Sequence, residues 1–473
     1  MAGPRRIAIL GGGFSGAAAA LHLCRLSPTP LAVQVVEPRD KLGMGVAHGT
    51  TERHYRLNGT DGIHSPYPHA PSDFADWLRL SGELDADPEA TQANGLVFPR
   101  RGAFGRYMEE QVVLAASRNA SGSSIDHVRA AATRLGPHGS GYRITLDDGS
   151  RLEADYVILA LGWNAVGTPG PLAPLQEHPG WIGNPWQTHR LDDLAPDAPV
   201  LLIGTGLTAC DTFTALLARG HRGPVLALSR RGLRPASQNP YRSSRPVWER
   251  ILDPDPAILR RHGKPLNVRS AMRLLRREIA AVDPGSSSWH TPFDELRDAV
   301  PGFWNEWPLA EQRRYIRHAK PWYDNFRFRN PPQTERLVDA ALAEGRLRFQ
   351  GGRLRGAHCQ GNTLRIEYLD RQNGLPHTVA VGAVVNCTGP QPRPGASDNA
   401  FWRNLLADGL GRDSPNGLGI DVDGACRLFD ARGGAQARIF VIGPPTLGRF
   451  GEAIAVPYIV RGILEVARQI IHG

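Results

Sequence analysis

The feature that most constrains this 473-residue chain is a glycine motif that occurs twice, each time directly after a short apolar run and before a helix-forming segment. The first copy, Gly11-Gly-Gly13-Phe-Ser-Gly16, follows Ile7-Ala-Ile-Leu10 and precedes Ala17-Ala-Ala-Ala-Leu-His-Leu23. A short apolar run that stops at glycine is the pattern of a buried parallel strand. The glycines then permit a tight turn and close approach of a pyrophosphate, whose charge sits on free N–H groups at the helix N-terminus. Gly11, Gly13, Phe14, Ser15 and Gly16 are the candidate cradle. The next strand, Val33-Gln-Val-Val36, ends at Glu37, 21 positions after Gly16, where a carboxylate can hydrogen-bond a ribose hydroxyl pair.

The second copy is Gly204-Thr-Gly206-Leu207-Thr208-Ala209, after Val200-Leu-Leu-Ile203, with alanine in place of the third glycine. Its following strand, Val225-Leu-Ala-Leu228, ends in Ser229-Arg230-Arg231 instead of an acid. A carboxylate would repel a 2′-phosphate, whereas a serine and two guanidiniums can bind it, so NADPH is favoured over NADH; the alternative is a solvated basic turn. The acidic copy standing first implies FAD there and a pyridine nucleotide at the second, with hydride transfer between them. Three more apolar runs end at glycine: Tyr156–Leu161 before Gly162, Val384–Thr388 before Gly389, and Ile439–Ile442 before Gly443.

A chain of this length exceeds what one hydrophobic core supports, so an α/β protein with two Rossmann-like dinucleotide-binding domains is expected. Between about 235 and 335, Arg, Trp and Pro become dense and amphipathic patterns such as Ala271–Ile279 replace strand signals, which predicts a helical insertion. The loop Gly43 to Pro71 is too long for an ordinary connector and is expected to cover a ligand. The net charge of +9 favours anionic partners. Five widely spaced cysteines, an odd number with no CxxC pair, read as reduced thiols of a cytoplasmic protein, and no run of about 18 apolar residues predicts a membrane span.

With these segments in view, the chain resembles the two-dinucleotide-binding-domain flavoproteins, and more narrowly the bacterial FAD-NAD(P)-binding proteins that include FAD-dependent urate hydroxylase. The resemblance covers nearly the whole chain. It rests on Gly43-Met-Gly-Val-Ala-His48 with Leu57-Asn58, on Phe98-Pro-Arg-Arg with Phe104-Gly-Arg-Tyr107, and on Ala154-Asp155 before the strand that ends at Gly162. It rests further on Gly204–Asp211, Ser229-Arg-Arg-Gly232, Asn386-Cys-Thr-Gly-Pro390, and Gly443-Pro with Ala455-Val-Pro457. It implies a discontinuous FAD domain, with its first part at 1–165, an NAD(P) domain at 166–350 carrying the insertion, and a second FAD part at 351–473. It also implies that Asn58 and Thr208 touch cofactor. Two departures stand out: there is no redox cysteine pair, and Gly443 is followed by Pro444 where many members place an aspartate.

Without a dithiol or a metal motif, reduced FAD must pass its electrons to an organic acceptor or to oxygen, and the latter route gives a flavin hydroperoxide that hydroxylates electron-rich substrates. A small anion is the expected substrate, with urate going to 5-hydroxyisourate as the named guess, held by Arg327 and Arg329 in Trp322–Pro332. The two arginines face the same side if that stretch is extended; the competing reading packs Trp322 and Phe326 at a domain interface and pairs the arginines with carboxylates. His48 is a candidate beside the flavin and His318 for proton transfer, although either residue type is more often a packing or surface histidine. Asp324 is a candidate base whose competing reading is a solvated carboxylate, and Cys387 is read as inertly buried in preference to nucleophilic. The alternatives are N-hydroxylation of an amine or amino acid, and a non-catalytic flavin/NADP redox sensor. Nucleic-acid binding ranks last because the charges are dispersed. A monomer or homodimer is expected, acting on a small molecule and oxygen, with no metal.

Overall fold

The computed structural model describes residues 3–163, 165–239, 245–283 and 288–473. Two sheets organise the chain. In the first, Arg5–Leu10 lies between Leu31–Val36 and Tyr156–Leu159, all parallel, with Ser124–Val128 and Ala435–Val441 outside them and Arg427–Phe429 at the edge. Successive side chains of a strand point to opposite faces. Accordingly Ile7 and Ile9 enter the core formed with helices Phe14–Leu26, Arg101–Arg118 and Val456–His472, while Ala8 and Leu10 enter a second core under a three-stranded meander and helix Ala400–Ala407. Burial on both faces explains why this strand is a continuous apolar run.

The second sheet repeats the plan. Trp181–Ile182, Ala383–Asn386, Val200–Ile203, Val225–Ser229 and Leu347–Gln360 are parallel, and Thr363–Asp370 and Pro376–Val381 extend the edge as antiparallel strands. The expected return to the first unit at 351 is therefore displaced. Leu347–Gln360 pairs with Val225–Ser229, and Ala383–Asn386 slots beside Val200–Ile203, so the chain rejoins the first sheet only after Asn386. An apolar run shows that it is buried in a sheet, not in which one.

The helical insertion has its own core of Leu274, Phe293, Trp304 and Trp307. Helix Val268–Ala280 buries Ala271, Leu274 and Leu275 at the spacing its sequence predicts, and Asn267 and Ser270 cap it reciprocally. The insertion leans on the first unit: Val247, Trp248 and Ile251 join its core, and Trp304 Nε1 donates to the Gly448 carbonyl at 2.9 Å. Among the described residues no helix is long and apolar enough to cross a membrane.

Candidate functional site

The first glycine motif opens helix Phe14–Leu26, whose N-terminus has no side-chain cap and no acidic residue in its first turn, so its N–H groups suit an anion. Gly11 has φ +103, and a Cβ there would stand 2.5 Å from the Ala160 carbonyl oxygen; only glycine fits this approach. At Gly16 a Cβ would overlap the Gly11 carbonyl oxygen, so bare backbone lets the helix close on the turn. Glu37 is 3% exposed. One of its oxygens accepts the Gly12 N–H at 2.9 Å and the other accepts from Arg39, through its backbone and its guanidinium, which fixes the carboxylate at the strand end. Glu37→Ala is expected to weaken FAD retention about tenfold, read as flavin absorbance per protein after dialysis; full occupancy would remove its ribose role.

The long loop after residue 43 reaches this cradle. It forms a short helix, Gly45–His48, and a 3-10 turn, Asp61–Ile63, and the Gly45 backbone packs against Gly13. From the other end of the chain Gly443, at φ +78, abuts Ser15, so the Gly443-Pro444 segment borders the same motif. Gly162, also at positive φ, ends the adjacent run beyond Leu159.

The second motif opens helix Leu207–Ala218 in the same way, with no side-chain cap and no acidic residue in its first turn. Gly204 lies so near the Cys387 carbonyl that a Cβ would come within 2.2 Å of it. Thr388 and Gly389, assigned by number to the second FAD part, thus lie beside the NAD(P)-side motif, with the Thr388 hydroxyl donating to Asn386 at 2.8 Å. Ser229 Oγ shares a hydrogen bond with Thr205 Oγ1 at 2.9 Å and accepts the Gly232 N–H at 3.0 Å. Arg230 is exposed and Arg231 half-buried; among the described residues neither guanidinium has an ionic partner. Leu207 and Thr208 occupy the first helical turn, and Asn58 accepts from Gln238 through its carbonyl at 2.8 Å.

The two units are joined by contacts with no local sequence signal. Tyr55, from the first unit, is buried in the core of the second. Arg101 stacks on Tyr55 and Trp186 and bonds the buried Asp211 at 2.7 Å. Glu52 binds Arg219 through both carboxylate oxygens.

The arginine assignment is corrected. Lys320–Arg327 is a helix, not an extended stretch. Arg327 is held by Glu452 through Nε at 2.9 Å, and Arg329 by both oxygens of Asp294 at 2.8 and 3.2 Å, beneath Trp289. The neighbouring Arg297 and Arg329 cations hold the Asp294 carboxyl down at about 2. These guanidiniums are neutralised inside the protein and are not free to fix an anion. Phe326 packs edge-on against Trp289, whereas Trp322 is 46% exposed. Asp324 is held by Lys320 at 2.5 Å. Glu452, absent from the sequence reading, lines a cavity with Tyr315, Tyr323, Lys320 and Asp324 that has room for about one water, roughly 10 Å³.

The two histidines and the cysteine are also placed. His48 packs edge-on against Phe104, its Nδ1 is buried without a partner, and burial lowers its pKa to about 3, so the ring is held neutral at neutral pH. His318 is exposed in the π-helical turn Tyr315–Ala319. Burial pushes the Cys387 thiol up to about 12.

Two glycine-cradled helix N-termini, each at the carboxyl end of an interior strand of a largely parallel sheet, are the geometry with which open α/β sheets hold dinucleotides. Residues 8–164 match the model of the FAD-NAD(P)-binding family and form a domain of that kind. Among solved structures, the chain is similar over 99% of its length to the ornithine N-hydroxylase of Kutzneria sp. 744, with a TM-score of 0.64, 16% identity and 99% of that chain covered. It is equally similar to the L-lysine 6-monooxygenase of Pseudomonas syringae, with a TM-score of 0.64, 16% identity and 99% of each chain covered. The desferrioxamine-pathway cadaverine monooxygenase of Erwinia amylovora gives a TM-score of 0.61 at 13% identity, covering 99% of this chain and 94% of that one. At these identities the likeness is one of fold. No curated protein matches the chain.

Proposed function

We propose that the protein is an FAD-dependent, NAD(P)H-oxidising monooxygenase that hydroxylates the nitrogen of an amine or amino acid. The observation that carries the reading is the pair of glycine-cradled helix N-termini in one chain, the first beside the buried carboxylate of Glu37 and the second beside Arg230 and Arg231, which among the described residues have no carboxylate partner. The residues fit both groups: bare backbone at Gly11–Gly16 and Gly204–Gly206 to receive pyrophosphates, Glu37 for the FAD ribose, and Ser229, Arg230 and Arg231 for NADPH. Bound FAD supplies the chemistry no side chain can, uptake of a hydride and activation of oxygen. The protein's own part is to hold the two cofactors in one arrangement, which the Tyr55, Arg101–Asp211 and Glu52–Arg219 contacts serve.

The absence of a redox cysteine pair supports a monooxygenase over a dithiol reductase: the five free cysteines lie far apart in sequence, and burial raises the pKa of Cys210 and Cys387 to about 12. The whole-length likeness to ornithine, lysine and cadaverine hydroxylases supports nitrogen as the atom attacked. An anion such as urate loses its support, because the arginines expected to hold it are paired with Glu452 and Asp294. The test is NADPH oxidation, oxygen uptake and hydroxylamine formation by the FAD-loaded protein with L-ornithine, L-lysine, cadaverine and urate. An amine is expected to accelerate NADPH oxidation and yield a hydroxylamine in step. Stimulation by urate alone, or amine-stimulated oxidation that yields only peroxide, would overturn the reading.

A further inference from the structure

The strand end proposed as a 2′-phosphate site is flanked by a cation that no local motif announces. Three chain segments meet in register at its rim. Ser229 pairs with Gly351, and the Arg371 N–H donates to the Gly351 carbonyl at 2.9 Å, continuing the register in which Asp370 faces Gly352. Residues opposite one another on neighbouring strands project to the same side, so Ser229, Gly351 and Arg371 form one row. The middle of that row has no side chain. Arg371 Cδ and the Arg231 carbonyl oxygen lie 3.3 and 3.2 Å from the point where a Gly351 Cβ would begin, so the Arg371 stem occupies the gap against the Arg231 backbone. The turn is pinned from its own side as well: a Cβ on Gly232 would stand 2.6 Å from the Gly351 nitrogen.

The charges around this row leave it positive. Asp370 is buried, and its carboxylate accepts from Gln350 Nε2 at 3.0 Å and from the Gln372 N–H at 2.6 Å. Arg234 is consumed by Asp339 at 2.7 Å. Arg371 is exposed, and among the described residues Arg230, Arg231 and Arg371 share the property of having no carboxylate partner. The site sits at the carboxyl end of a parallel strand, where nucleotides bind in such sheets.

We propose that Arg371 is the third cation of the 2′-phosphate site, so that NADPH is gripped by two arginines following one strand and a third delivered by a distant hairpin. The inference rests on the NADPH reading of Ser229–Arg231. Calorimetric titration of the FAD-loaded protein with adenosine 2′,5′-bisphosphate and with adenosine 5′-phosphate tests both. Arg371→Ala is expected to weaken the bisphosphate about tenfold and leave the monophosphate within about twofold, with Arg371→Lys in between and flavin content unchanged. Wild-type affinity for the bisphosphate in Arg371→Ala, or equal weakening of both ligands, would overturn the role of Arg371. If the wild type does not prefer the bisphosphate, or if Arg230→Ala/Arg231→Ala leaves its affinity unchanged, the 2′-phosphate reading itself fails.

Discussion

Replacing both Arg230 and Arg231 with alanine is expected to raise the KM for NADPH by about 30- to 100-fold while moving the KM for NADH by no more than about twofold. The difference between the two cofactors is one phosphate on the 2′ carbon, carrying nearly two negative charges. Each charge-assisted contact to it is worth about tenfold or slightly less at an exposed site, and among the described residues the two side chains have no competing carboxylate to which they could return. Ser229, fixed by Thr205 and by the Gly232 N–H, remains to bind the ribose, so NADH has little to lose. Because Arg230 is exposed, the effect is expected to shrink as ionic strength rises. Steady-state NAD(P)H oxidation at two salt concentrations measures it; equal losses for both cofactors would assign the arginines to the turn and not to the phosphate.

A second large effect is expected on acid stability. Three histidines of the first unit are held neutral: burial lowers the pKa of His22 to about 4, of His48 to about 3 and of His64 to about 4. His22 and His64 each donate one ring N–H to a carbonyl, of Pro66 at 3.0 Å and Thr60 at 2.7 Å, while His48 and His64 pack on Phe104. An unfolded histidine titrates near 6.5. Between that pH and about 4 the unfolded chain therefore binds more protons than the native one, and stability falls as pH falls. With three such groups the slope reaches about 4 kcal/mol per pH unit at its steepest. Asp211, Asp324 and Glu335, whose carboxyls burial raises, act in the opposite sense, and Asp294, held near 2, titrates below the window. Urea midpoints from pH 7.5 to 4.5 should fall steeply, and His64→Gln should remove about a third of the slope; a flat midpoint across that range would contradict the neutral histidines.

What could be read from the sequence shares one property: the interacting residues are neighbours along the chain or one strand-helix-strand unit apart. The two glycine motifs, the strands before them, Glu37 and Ser229-Arg230-Arg231 belong to such units, in which turn, helix N-terminus and strand end are set by local backbone chemistry and by burial of the strand on both faces. The amphipathic stretch Ala271–Ile279 was legible for the same reason, since its apolar spacing is contained in itself, whereas its Asn267–Ser270 cap appears only in the structure.

What the tertiary structure decided depends on partners far away in the chain. Arg327 and Arg329 have the composition of an anion site, and nothing near them shows that Glu452 and Asp294 neutralise them. The strands from 347 to 386 have the composition of sheet interior, and only their hydrogen-bonded neighbours assign them to the second unit. Arg371 comes beside Arg231 because an antiparallel hairpin returns to a glycine that leaves room for it. Two glycine motifs, and the sign of the charge that ends the strand after each, stand in the sequence alone. Which side chains meet across them was decided by folding, because a charge is available to a ligand only if no distant residue has already neutralised it.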